Sequence, residues 1–343
     1  MTVLEATPSA AIRPVPVRQL CWVSWRRNRA SVLGLGSFVA VLATYLLVTG
    51  LRAHAAYDDL GSCVPPITTD ACRLRWDAFV NSHGNRGLVA PLLLILPGII
   101  GAAIGAPLIG RELESGVFRY SWTQGAGRMR WAVATIIPVG ILMSALMGAL
   151  GVLVSWRNEP MMHGGAAQRL DASTFPTTGV AAVGWTLLAF SIGVLAGLLW
   201  RRVVPAMATS FALWFAMAFL ASLVRPHLMT PLTTTGDLPN GALQLSQQWT
   251  RAGAPVSVAE VSTALAKVGV TMSDEGFSAH ADQGSEAPPD PIEYLAGIGY
   301  HQQFTYQPDR RFWPFQWMET GVLVLASVGL VGLSLRLVRR RSA

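Results

Sequence analysis

Six stretches of the chain run for about 20 residues with hardly a polar interruption: 31–50, 88–109, 132–154, 178–200, 203–224 and 320–336. Each is close to the ~20 residues a helix needs to cross the hydrocarbon core of a bilayer. Asp, Glu, Lys, Arg and His are missing from all six, apart from Arg336 at the last exit. The pattern predicts an all-α polytopic membrane protein with six transmembrane helices. The chain then divides into a tail and interfacial helix over 1–30 and spans one to five over 31–224, which include a cytoplasmic loop at 110–131. An extracytoplasmic region follows over 225–317, and a sixth span with a basic tail over 318–343.

The connecting segments have patterns of their own. After Pro8, Pro14 and Pro16, residues 17–26 mix apolar and basic positions. As a helix, this segment places Leu20, Trp22, Val23 and Trp25 at headgroup level and Arg26, Arg27 and Arg29 on lipid phosphates, which predicts an interfacial helix. An unstructured basic tail is the alternative. In the long region 225–317, Ser257 followed by Glu260 is a capping-box pattern, and Val261, Leu265 and Val268 follow it. A helix is expected over 255–270. The acidic, proline-rich stretch 273–291 reads as a loop. Ala53-His54-Ala55 has the small-residue look of a signal-peptide cleavage site. The apolar run before it is longer than the usual 7–15 residues, which favours a retained first span.

Composition sharpens this picture. Charged residues are 13% of the 343, about half the usual globular share. The deficit sits in the apolar runs, so a soluble domain is excluded. The net charge of +7 is distributed unevenly. Segments 1–30, 110–131, 201–202 and 336–343 hold 15 Arg against Glu5, Glu112 and Glu114, a net of +12. The remaining segments carry 11 basic and 16 acidic residues, a net of −5. This asymmetry predicts that both termini are cytoplasmic and assigns the basic residues to a membrane surface rather than to nucleic acid. The expected location is the bacterial cell membrane, with membrane lipid as a partner.

Candidate chemistry is sparse. Cys63 and Cys72, nine positions apart on the oxidising side and flanking Pro65-Pro66, suit a disulfide; two free thiols are the alternative. Six scattered histidines and no Cys-x-x-Cys leave no metal site. Lys267 is the single lysine, so no Walker A loop exists and the chain is not expected to hydrolyse ATP or to be an enzyme. No carboxylate or histidine lies inside a span, which weighs against an ion-coupled transporter. Gly101 and Gly105 form one Gly-x-x-x-Gly pair, and Gly193 and Gly197 another, both suited to helix packing. Pro91, Pro97 and Pro138 are candidate kinks.

The most informative loop runs from Arg111 to Trp131. It carries both signs of charge together with aromatic residues, a composition suited to docking on another protein; a solvated connecting loop is the alternative. The run Pro107–Trp131 resembles the intracellular loop of ABC transporter permeases of the type-2 exporter class, through Arg111, Glu112, Glu114, Gly116, Gln124, Arg128 and Arg130. The six-span layout and the basic helix before the first span resemble that family too. The 311–317 entry to the last span, with Glu319, resembles actinobacterial members. The resemblance implies that the loop, with Arg119 included, meets a separate ATP-binding subunit, which brings ATP and Mg. It implies a second permease copy, in a homo- or heterodimer, and a pathway switched by ATP. No cofactor is expected in this chain. The uncharged pathway suits an amphipathic or hydrophobic cargo such as a drug, antibiotic or lipid-like molecule. In this reading Glu112 and Glu114 pair with the ATPase, so Glu112→Arg uncouples transport without unfolding. The competing reading is a membrane anchor or sensor whose 225–317 region binds a ligand outside.

Overall fold

The computed structural model describes residues 17–67, 69–84, 87, 89–116, 128–273, 276–279 and 290–340. They form two compact units. One comprises the membrane helices. The other comprises 223–312 together with 168–171.

Among the described residues, six helices are long and apolar enough to cross a membrane. The first, α1, is Val17–Asp58. Residues 17–30, expected as an interfacial helix, are its opening turns and not a separate element. After Pro16 the sequence offers no proline to stop it, and Gly34 and Gly36 are tolerated inside a long helix. Trp22 and Trp25 are exposed, and the Arg26 guanidinium lies 5.5 Å over the Trp22 ring. Such side chains belong at a headgroup boundary. A short helix, α2 (Asp70–His83), stands in what reads from sequence as a plain loop. Thr69 caps it, accepting from the Cys72 amide. Its Trp76 and Phe79 are buried with Leu60 and Met161.

The second span is built in three pieces: α3 (Val89–Ile100), a π-helical turn (Gly101–Gly105) and α4 (Ala106–Ser115). Pro97 lies inside α3 and leaves the carbonyl four residues earlier without its donor, just ahead of the widened turn. Pro91 sits in the first turn of α3, where a missing N–H costs nothing. Helix α5 (Arg128–His163) is the third span, α6 (Ala181–Trp200) the fourth, α7 (Val203–Val224) the fifth and α10 (Phe312–Arg340) the sixth. The core joins α1, α3, α4, α5 and α6 through Leu46, Leu96, Ile109, Met143, Leu150 and Phe190. In contrast, only 11% of the apolar window of α7 is buried, against 78% for α6. α6 is thus the hub and α7 is peripheral.

The second unit corrects the all-α expectation. It holds a four-stranded antiparallel sheet in the order β1-β6-β2-β3, with β1 Leu232–Thr235, β2 Leu243–Arg251, β3 Ala254–Val256 and β6 Tyr300–Gln307. In a two-stranded pair, β4 (Val270–Ser273) with β5 (Gly276–Ala279), the second strand lies within the stretch 273–291 expected to be loop. These strands are short and rich in Thr, Gln and Tyr, so hydropathy does not mark them; their period-two pattern does. Ala252 and Gly253 join β2 to β3 with φ of 51° and 81°, the left-handed pair that a two-residue hairpin of matching twist requires. The expected helix is present as α8 (Val258–Ala266), capped by Ser257. A further helix, α9 (Pro291–Gly297), is capped by Asp290, which accepts from the amides of Ile292 and Glu293. Trp249 and Tyr300 of the sheet bury against Val261 and Leu265 of α8 and Leu295 of α9. The Tyr300 hydroxyl donates to Glu260 at 2.8 Å and accepts from Arg251 at 3.2 Å. The Glu260 hydrogen bond raises the Tyr300 pKa above that of a free phenol.

Candidate functional site

The end of the second span carries the residues singled out by sequence. α4 stops where Gly116 adopts φ 72°, a left-handed cap that glycine accepts without cost. Glu112 lies on the inner face of that last turn and is 7% exposed. One of its oxygens accepts from Arg27 Nη1 of α1 at 2.7 Å. The other is buried, with no hydrogen-bond partner among the described residues. Glu114, on the outer face, accepts from the Val203 amide at 3.0 Å. That amide is the first of α7, so the carboxylate sits where the helix leaves donors unsatisfied and its dipole is positive. Arg111 reaches Ser31 of α1 at 3.5 Å, the outer limit of a hydrogen bond.

In this geometry Glu112 is buried and paired within the chain. The side chain does not face outward toward a partner. It is spent inside the protein, and with Glu114 it clasps three elements: α1, α4 and α7. The physical reason is electrostatic. Few acids stand among the arginines at this end, and a buried carboxylate is best satisfied by the nearest guanidinium. Arg111, Glu114, Arg130, Arg201 and Arg202 remain exposed. Arg128 is half-buried and holds a partner of its own. Arg119 and Gln124 lie outside the described residues, as does the Cys21 side chain.

Arg27 and the Val203 amide were not read from the sequence as members of the site. A signal for Arg27 exists, in that the paired acids 112 and 114 need cations nearby. None exists for Val203, whose amide is brought to Glu114 only by the tight α6–α7 turn. There Arg201 takes φ 54° and closes α6 by donating to the Gly197 carbonyl at 3.2 Å.

The glycine pairs lie against each other. A Cβ on Gly193 would collide with the Gly101 carbonyl, and one on Gly101 with the Ala189 carbonyl. A Cβ on Gly105 would stand 2.7 Å from the Phe190 carbonyl, and one on Gly197 would meet that of Ala106. The π turn and α4 are therefore seated on α6 backbone to backbone. They place Arg111, Glu112 and Glu114 directly beyond this backbone contact.

At the opposite end of the spans, Cys63 and Cys72 are joined as a disulfide. Arg157, 4% exposed, donates to Thr49, Asn158 and the carbonyl of His83 that ends α2. Glu319 of α10 accepts from the Trp185 indole at 2.7 Å. Gln316 accepts from the Ala181 amide and donates to the Phe175 carbonyl. Among the described residues no group of three His, Cys, Asp or Glu is placed to hold a metal ion.

Residues 36–225 match a family described as ABC-2 membrane transporter related. The match begins within α1, takes in the second to fifth spans, the disulfide, the glycine pairs and the end of α4, and ends at the first residues of the 223–312 segment. No curated protein matches the chain. No solved structure matches it.

Proposed function

Because the chain belongs to the ABC-2 membrane transporter related family, we propose that it is the membrane subunit of an ATP-driven exporter that works as a dimer. As an ABC-2 type permease, a multi-pass membrane protein, it serves ABC transport alongside an ATP-binding subunit. Our reading adds the arrangement. A separate subunit binds ATP with Mg and hydrolyses it, and this chain carries no catalytic residue. The arginine-rich end faces the cytoplasm of a bacterial cell. The segment 110–131 receives the push of the ATPase, and the cargo is amphipathic or hydrophobic.

The observation that carries this reading is the clasp at the end of α4, whose Glu112, Glu114 and Val203 lie within the matched segment and whose Arg27 precedes it. A force applied beyond Gly116 acts on α4. Glu112–Arg27 hands it to α1 and Glu114–Val203 hands it to α7. The three spans then move as one body between two states of the pathway. Work is coupled only because the ATPase has different affinity for those two states.

The test tags this chain alone, co-expresses it with an ATP-binding subunit encoded beside it, and extracts both in mild detergent. Co-purified ATPase activity, lowered when the exposed Arg111 and Arg130 are reversed to Glu, supports the reading. A well-folded permease that never retains an ATPase overturns it. A second reading rests on the second unit, which has a core of its own and of which residues 226–312 lie outside the family match. There the chain is an anchor or sensor, and 225–317 binds an extracellular ligand. Transport that survives deletion of this unit removes that reading.

A further inference from the structure

The membrane unit also contains a half-open groove that the clasp does not use. It encloses about 340 Å³ between α5, α6 and α10. Ile137, Ile141, Phe190, Val324, Val331 and Leu335 form its walls. Its two serines spend their protons within their own helices: Ser191 donates to the Leu187 carbonyl and Ser327 to the Leu323 carbonyl, each at 2.7 Å. A polar guest would lose its hydrogen bonds here, whereas hydrocarbon would not.

The two outer walls lead to arginines. On α10 the lining positions 324, 328, 331 and 335 recur at helical spacing; one turn further on, the buried Val338 and the exposed Arg339 flank that stripe. On α5, Arg130 stands seven residues before Ile137, on the same face. Helix rise places Arg339 ~6 Å beyond the groove and Arg130 ~10 Å beyond it. Both side chains are exposed. Their neighbours Val338 and Trp131 are both buried and belong to the same core cluster. An apolar slot whose walls continue into cations is complementary to a molecule with a hydrocarbon tail and an anionic head. The bilayer supplies that molecule at high concentration.

We propose that this groove holds an acyl chain of an anionic phospholipid from the leaflet at the arginine-rich end, with its phosphate on Arg130 and Arg339. Gly332 also lines the groove, and a Cβ there would meet nothing within 4 Å. A larger side chain at 332 would therefore start in open space on the wall of the slot.

The test reconstitutes the full chain in nanodiscs containing equal phosphatidylglycerol and phosphatidylcholine and measures retained lipid by native mass spectrometry. The wild type should retain phosphatidylglycerol preferentially. Gly332→Leu should remove the retained lipid, while Gly34→Leu on α1, also in open space, should not. Arg130→Gln with Arg339→Gln should cut the preference about 30-fold, since an arginine near an anionic headgroup is worth about fivefold. Should Gly332→Leu fail to fold, the arginine pair, at exposed positions, decides alone. Equal retention of the two lipids by the wild type overturns the proposal, as does a preference untouched by the arginine substitutions. No ATPase partner enters this readout, so its result stands apart from the transport reading.

Discussion

Glu112 and Glu114 differ by two positions and have opposite fates, because a helix turns about 200° between them. One points into the bundle and the other along its rim. Reversal of the inner one places a second cation beside Arg27 in a site that is 7% exposed. Breaking a buried pair costs about 3–5 kcal/mol; the part-exposed Arg27 reduces this to about 2 kcal/mol. Glu112→Arg is therefore expected to lower the unfolding temperature in detergent and to reduce the folded yield. Glu114→Arg should cost about 1 kcal/mol, the worth of a helix cap, and leave the fold intact. Equal melting of the two variants would show that the buried pair does not hold α1 to α4. The disulfide offers a second residue-scale test. Cys63 and Cys72 should resist alkylation until reductant is added, read as a mass shift. Cys72→Ser should cost about 2.5 kcal/mol by the loop-closure relation.

At the scale of elements, the second span is the most constrained part of the fold. Pro97, the π turn, Gly101 and Gly105 give it a backbone that fits directly on α6. Gly193→Ala should be severely destabilising, because its methyl meets the Gly101 carbonyl and the Ala106 amide, and backbone cannot step aside. Gly34→Ala on α1, with nothing within 4 Å, should be neutral or stabilising by about 1 kcal/mol, the helix-propensity gain over glycine. The pair is compared by fluorescence-detected size exclusion after heating. A tolerated Gly193→Ala would mean that the two helices are not in backbone contact. The peripheral α7 has no such restraint along its length. It is held at its first turn by Glu114 and at Gly98 by the close approach of the Trp214 ring. That arrangement suits an element that moves when α4 is pushed.

At the scale of the whole molecule, the chain is two folding problems. The membrane unit satisfies its backbone within helices, as a bilayer demands. The second unit must make a water-facing core from few apolar residues, and it gathers Trp249, Val261, Leu265, Leu295 and Tyr300 from a sheet and two helices. Leu265→Asp puts an unpaired charge in that core. It should open 223–312 to protease digestion, while the six spans remain resistant and the chain keeps any ATP-binding subunit that the wild type retains. Loss of the spans along with the second unit would show that the two do not fold independently.

The sequence by itself determined the six spans, because a charge inside hydrocarbon is so costly that its absence over 20 residues is nearly diagnostic. It also determined the glycine pairs as packing positions and the cap at Ser257, since each is a local rule tied to a residue type. The sheet was within reach of a period-two reading, but its strands are short and polar enough to pass for loop. The reach of α5 to His163 and of α1 past residue 50 was hidden because helices do not end where hydrophobicity ends. Only the tertiary structure decided what the carboxylates do. Glu112 meets Arg27 across 85 positions and Glu114 meets Val203 across 89, and no local pattern carries such distances. A charge on an isolated loop is free to meet a partner, whereas the same charge on a packed helix is taken by the nearest opposite charge the fold provides.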